Sequence, residues 1–221
     1  AGPLSRGTIQ VDPARGLLGL VIREEKGLLA DPARREALSM AIDRAALIQP
    51  FGLGGWQAST WIVPPGQFSE PPYPAQRWQG LSLEERRAIA AGRIRAWEAE
   101  AEQKAQIKVG LPAGPGSDLL FRQLANAWAQ IGVAIIRTAP GEGAEIELRD
   151  NLARYSSPRW YLNQFNCTLK AGLCSSEADA LVRQSLEERD PLVRERLLAE
   201  AHAALVAREV YIPLGAPVRW S

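Results

Sequence analysis

The segment from residue 107 to residue 138 constrains the fold of this chain most. Residues 107–111 read as a short buried strand, and residues 112–117, with Pro112, Gly114 and Pro115, as a turn. Leu120, Phe121, Leu124, Trp128 and Ile131 then recur on one helical face, Gly132 supplies a helix end, and residues 133–138 are again strand-like. Strand, helix and strand in that order predict a parallel crossover, right-handed by strong preference, and hence an α/β chain.

The flanking sequence extends this pattern. Residues 8–11 and 17–22 read as extended pieces divided by Asp12-Pro13 and Gly16. Asp31 followed by Pro32 marks a helix start, since proline at the first helical position gives up an N–H that has no partner anyway. Ala37, Leu38, Ala41, Ile42, Ala45 and Ile48 share its inner face, Arg34, Arg35, Asp43 and Arg44 point elsewhere, and Pro50 with Gly52 ends it. Residues 52–80 form a Pro/Gly/aromatic loop, because Pro64, Pro65, Pro71, Pro72 and Pro74 bar it from helix and sheet interior alike. Ser82 with Glu85 is a capping box for a helix running to about residue 103, whose interleaved carboxylates and arginines describe a solvated surface. Residues 144–149 alternate as a half-exposed or edge strand does, and residues 160–165 are a short apolar-aromatic piece. Ser176 with Asp179, and Asp190 with Pro191, start two closing helices, and residues 210–214 finish as a strand. The fold class is α/β, a mixed sheet flanked by helices.

Composition narrows the function classes. With 26 basic against 25 acidic residues in 221, the net charge of +1 gives no electrostatic footprint for a nucleic acid or an anionic membrane surface. No apolar run of about 18 residues exists to span a bilayer. Two cysteines and one histidine are too few for a usual zinc site, and no cofactor is expected. The glycines between Gly110 and Gly116 lack the ending of a phosphate loop and are interrupted by two prolines, so they read as a turn. His202 sits alone on the last helix with no nucleophile patterned around it, and no nucleophile elbow is present, which argues against a hydrolase. The chain opens Ala1-Gly2-Pro3 and its one Met is Met40, so it reads as a processed or excised piece.

Four pieces, in order, resemble the family 5 extracellular solute-binding proteins, the dipeptide- and oligopeptide-binding components of ABC importers. Asp31, Arg35, Ala37, Leu38, Ala41-Ile42-Asp43-Arg44 and Leu47 are similar to a helix of that family, with Arg34 where the family carries valine. Ile62-Val63-Pro64-Pro65-Gly66 resembles its following proline segment, and Gly116-Ser117-Asp118 through Ile131-Gly132-Val133 its strand, helix and return. Asp190 to Arg196, running on to Tyr211-Ile212-Pro213-Leu214, resembles its closing helix and strand.

Full members are about twice this length and close two lobes over a ligand. The resemblance therefore implies a periplasmic-binding-protein-like lobe over residues 1–221, a C-terminal lobe whose N-terminal lobe partner lies elsewhere. It implies a non-enzymatic role: binding a small peptide or other small solute, then docking on the membrane permease, in the periplasm or outside the cell, free or membrane-associated. Family members present a Trp-x-x-Asp-Tyr segment at the cleft, and here the match is Trp160-Tyr161-Leu162-Asn163-Gln164-Phe165. Asn163 carries no charge, so an ion pair with a ligand ammonium is lost and ligands other than peptides stay open. Trp160 and Phe165 serve equally well as core, while Trp56 and Trp61 in the loop are further ligand or interlobe candidates beside Tyr73 and Trp78. Cys167 and Cys174 form a disulfide if the protein is exported, or stay free thiols in a cytosolic one. The competing reading is a stand-alone interaction or scaffolding domain that reuses the lobe fold and binds through the Pro/aromatic loop.

Overall fold

The computed structural model describes residues 15–51, 56–68 and 77–217. The strand expected at residues 8–11, and Tyr73 with its prolines, lie outside them. β1 (Gly16–Ile22), β2 (Gln106–Gly110), β3 (Ala134–Thr138), β4 (Ile146–Leu152) and β5 (Tyr211–Gly215) form one sheet in the order β3-β2-β4-β1-β5. β2 pairs in parallel with β3, with Ile107 opposite Ile135, and also with β4. α4 (Pro115–Ala129) joins β2 to β3 and is the expected crossover. β1 runs antiparallel to both its neighbours, with Leu20 opposite Leu148 on one side and Ile212 on the other. The sheet is therefore mixed.

Side chains alternate across a strand, so β1 feeds both faces. Leu18, Leu20 and Ile22 pack with α1 (Pro32–Ala41), α3 (Leu83–Ala101) and α4, around Leu38, Ile94, Leu124 and Trp128. Leu17 and Val21 join the opposite layer, built by α5 (Pro158–Asn163), α6 (Ser176–Glu187) and α7 (Pro191–Ala207). Gly19 lies between them on that second face, where any Cβ would run into the Tyr211 ring and hydroxyl. The β5 edge is covered by the 56–59 segment. Ser59 N–H donates to the Leu214 carbonyl at 3.1 Å and Ala216 N–H to the Gln57 carbonyl at 2.9 Å, which removes an open strand edge.

The expected helix starts at Asp31, Ser82 and Asp190 are present. Asp31 accepts from Ala33 N–H at 2.7 Å and Asp190 from Leu192 N–H at 2.9 Å, while Ser82 and Glu85 exchange both capping-box bonds. Other expectations are corrected. The helix from Asp31 does not run to Ile48: Ile42 is extended, and Asp43 caps a separate α2 (Arg44–Ile48) by accepting from Ala46 N–H at 3.1 Å. The turn after β2 is shorter, since α4 already begins at Pro115. β4 is no edge strand, being paired on both sides, although its residues 150–152 are exposed. Residues 160–165 are not strand: Ser157 and Pro158 start α5, a cap-plus-proline device like the two recognised in the sequence. Ser175, not Ser176, caps α6. Asp179, expected to complete a capping box there, accepts instead from Cys167 N–H at 2.9 Å.

Arg35 and Arg44 do not point away from the core. Both are buried, and their guanidiniums bind backbone carbonyls. Arg35 donates to Leu29 at 2.6 Å and to Arg208 at 2.6 Å, with Glu25 at 3.2 Å as its carboxylate. It thereby ties the chain before α1 to the end of α7. Arg35→Met strands both carbonyls without donors and should lower unfolding stability by about 3 kcal/mol. Glu25→Gln, which removes only a half-exposed partner, should cost under about 1 kcal/mol. Urea unfolding of the two variants separates these values, and equal small losses would contradict the pinning role of Arg35.

Candidate functional site

β1 and β5 lie side by side, and the start of one meets the end of the other near Leu18 and Gly215. There the 56–68 segment and α5 leave a cleft of about 340 Å³, lined by Leu17, Trp61, Pro64, Gln67, Tyr161 and Tyr211 among others. Arg15 stands in its lining and donates to Ser156 Oγ. A second concavity, about 490 Å³, lies over the exposed end of β4, lined by Asp150, Asn151, Leu152, Arg154, Trp160 and Gln164. α5 separates the two: Tyr161 faces the first and Trp160 the second, their rings edge to face at 5.0 Å.

The lining of the first cleft mixes polar and apolar groups and includes two phenols. Tyr211 is buried across Gly19, and its hydroxyl has no hydrogen-bond partner among the described residues. Burial holds its pKa well above the usual phenol value, so it stays a neutral donor and acceptor. Tyr161 is also pushed up by burial; its hydroxyl lies near the Gly16 backbone without reaching hydrogen-bond geometry. A buried polar atom left unpaired costs about 1–3 kcal/mol, which a ligand atom or a water can recover.

The structure divides the residues singled out in the sequence. Trp61 and Tyr161 line the first cleft and Trp160 the second. Asn163 ends α5 and lines neither. Phe165 is core, with Tyr211 at 5.2 Å and the Arg149 guanidinium 5.6 Å from its ring centroid. Trp56 pins the loop to the sheet: its Nε1–H donates to the Ala216 carbonyl at 2.8 Å, and its ring covers Gly215. Tyr211 and Gln67 were missed. Tyr211 reads as an ordinary strand residue, and only its pairing opposite Val21 brings it into the cleft lining, with its hydroxyl buried over Gly19.

Two devices brace the irregular segments, the first at the far end of β1 and the second beside the first cleft. Cys167 and Cys174 are joined as a disulfide, a closure worth about 2.5 kcal/mol for so short a loop in the chain-entropy treatment. The loop is moored to β1, Leu173 N–H donating to the Ile22 carbonyl at 2.8 Å, and Arg23 and Arg149 both donate to the Ala171 carbonyl. Arg149 also donates to the Gln164 carbonyl at 2.8 Å, just past α5. Beside the first cleft, His202 is buried under the loop, accepting from Val63 N–H at 3.4 Å, with Trp61 edge-on at 5.6 Å and Phe68 stacked at 6.2 Å. Among the described residues no group of three His, Cys, Asp or Glu side chains could hold a metal ion.

No family model matches this sequence, and no curated protein matches it. Solved structures do match. OppA of Burkholderia pseudomallei superposes with a TM-score of 0.78 at 18% identity, over 91% of this chain and 42% of that one. The chain has the fold of part of a peptide-binding protein. The periplasmic murein tripeptide binding protein MppA, from Escherichia coli, gives 0.79 at 19% identity over 93% and 43% of the two chains. Haemophilus influenzae OppA in complex with the peptide RPPGFSPFR gives 0.76 at 13%, over 92% and 43%. This chain thus spans less than half the length of each, and at these identities the likeness is one of fold.

Burial, with the Arg77 charge nearby, lowers the His202 pKa to about 3 from about 6.5 in an unfolded chain. Between those values the unfolded state binds the extra proton, so this contribution is complete above pH 6.5 and is lost as pH falls toward 3. From pH 6.5 to 4.5 the loss from this one group should approach about 2 kcal/mol. His202→Gln should flatten the pH dependence of urea unfolding by that amount. An unchanged slope would contradict the neutral, buried assignment.

Proposed function

We propose that this chain is the C-terminal lobe of a family 5-type solute-binding protein serving an ABC importer, working in the periplasm or outside the cell. It binds a peptide or similar small solute without chemistry, together with an N-terminal lobe, and delivers it to the permease. The observation that carries this reading is the coincidence of a peptide-binding-protein fold with two adjoining concavities at one end of the sheet, separated by α5. The disulfide supports an oxidising compartment. Trp61, Trp160 and Tyr161 supply flat surface to a ligand. Asn163 carries no charge, so it offers a hydrogen bond and not an ion pair to a ligand ammonium.

A lobe that makes half of the contacts retains about half of the binding free energy, which turns a dissociation constant of about 1 µM into about 1 mM. Titrating di- and tripeptides into the isotope-labelled chain should shift the amide signals of residues 57–67, 150–165 and 211–216 with millimolar midpoints. Shifts confined to the outer faces of α3 or α7, or none at 10 mM peptide, on the order of ten times that midpoint, would overturn the reading.

A further inference from the structure

A third concavity, about 300 Å³, lies behind Trp61, between α2, the 58–61 segment and α3, and its charged lining is Arg44, Arg86 and Asp43. Arg44 is fully buried yet touches no carboxylate. Its Nε donates to the Pro213 carbonyl at 2.8 Å, Nη1 to the carbonyls of Ser39 at 3.2 Å and Ile42 at 3.4 Å, and Nη2 to Ser39 Oγ at 2.9 Å. A guanidinium has five N–H groups, so one Nη2 proton is left over. Arg86 lines the same space from α3, and its Nε is buried with no hydrogen-bond partner among the described residues.

The charge accounting is uneven. The guanidiniums of Arg44, Arg77 and Arg86 all lie within 6 Å of the Trp78 ring centroid, at 5.9, 4.6 and 5.8 Å. Of the carboxylates near them, Glu209 and Glu36 are engaged by Arg77, and Glu36 also by Arg93. Among the described residues Asp43 is the acidic group that acts on Arg86, and its Oδ1 caps α2. Desolvation first, then repulsion by Arg86 and Arg77, together lower the Arg44 pKa to about 9, against a partial offset by Glu209. Desolvated like charges of this kind cost several kcal/mol unless an anion joins them. Thr60, in the same lining, keeps the wall polar while accepting from Arg77 N–H at 3.2 Å.

We propose that this concavity is a receptor for a small oxyanion, a phosphate, sulfate or carboxylate group, held by Arg86 and the remaining Nη2 proton of Arg44. The site is separate from the two concavities assigned to the transported solute, and it does not depend on that assignment. An anion there bridges α2 and α3 to the loop that forms the first cleft's wall, through Trp61, which lines both spaces.

The test is a set of thermal and calorimetric titrations of the whole chain with phosphate, sulfate and acetate, against sodium chloride at matched ionic strength. Phosphate or sulfate should raise the unfolding midpoint beyond chloride with a saturable, one-site dependence; acetate as effective as either would identify a carboxylate receptor, and acetate without effect a tetrahedral one. Arg86→Gln should weaken the dissociation constant at least tenfold. Asp43→Asn keeps a good helix cap but removes the opposing charge, and should tighten binding about threefold or more. Arg196→Gln, on an exposed turn of α7, is the control and should leave the constant unchanged. Chloride matching the oxyanions at equal ionic strength, or Arg86→Gln and Asp43→Asn both leaving the constant within twofold, would overturn the proposal.

Discussion

The structure depends on β1 being paired on both edges and packed on both faces. Leu20 and Ile22 are fully buried toward α1, α3 and α4, and Leu17 and Val21 toward the layer of α5, α6 and α7. At about 1.5–3 kcal/mol for each large side chain removed from water, this one strand contributes to two cores that share no other strand so evenly. Its antiparallel pairing with β4 and β5 also attaches the parallel β-α-β part of the sheet to the closing strand. A polar substitution at Leu20 therefore damages the sheet and the larger core together.

The same placement explains why the clefts are where they are. β1 and β5 run in opposite directions, so the start of one and the end of the other fall at the same end of the sheet, beside α5. Gly19 leaves room for the Tyr211 ring and its buried hydroxyl to lie across β1. The segments beside the clefts are held by bonds to the framework: the Arg149 bond to the Gln164 carbonyl just past α5, and the buried His202 and the Trp56 indole N–H under the 56–68 segment.

Much of the fold was legible in the sequence because its signals are local. The crossover from β2 to β3 follows from periodicity and a glycine, and the starts of α1, α3 and α7 from a side-chain oxygen placed before the first turn. The break at Ile42 was hidden because Asp43, a capping residue, sits inside an apolar pattern that continues through both helices. Arg35 and Arg44 were misread as surface residues, since a charged side chain is ordinarily exposed, and nothing local announces the carbonyls of Arg208 and Pro213 that receive them. The site was legible in part: α5 was located, but as an apolar-aromatic piece rather than a helix. The assignment of Tyr161 to one concavity and Trp160 to the other depends on helical geometry, and the role of Tyr211 on a strand pairing distant in sequence.

The account's central claim is that ligand meets this chain at the end of the sheet where β1 begins and β5 finishes. Covalent photolabelling tests it most directly: a peptide carrying a diazirine group is irradiated with the protein and the modified residues are mapped by mass spectrometry. The account predicts labels on residues 57–67, 150–165 and 211–216, reduced by excess unlabelled peptide. Competed labels on the outer surfaces of α3 or α7 instead, with the clefts unmarked, would contradict it.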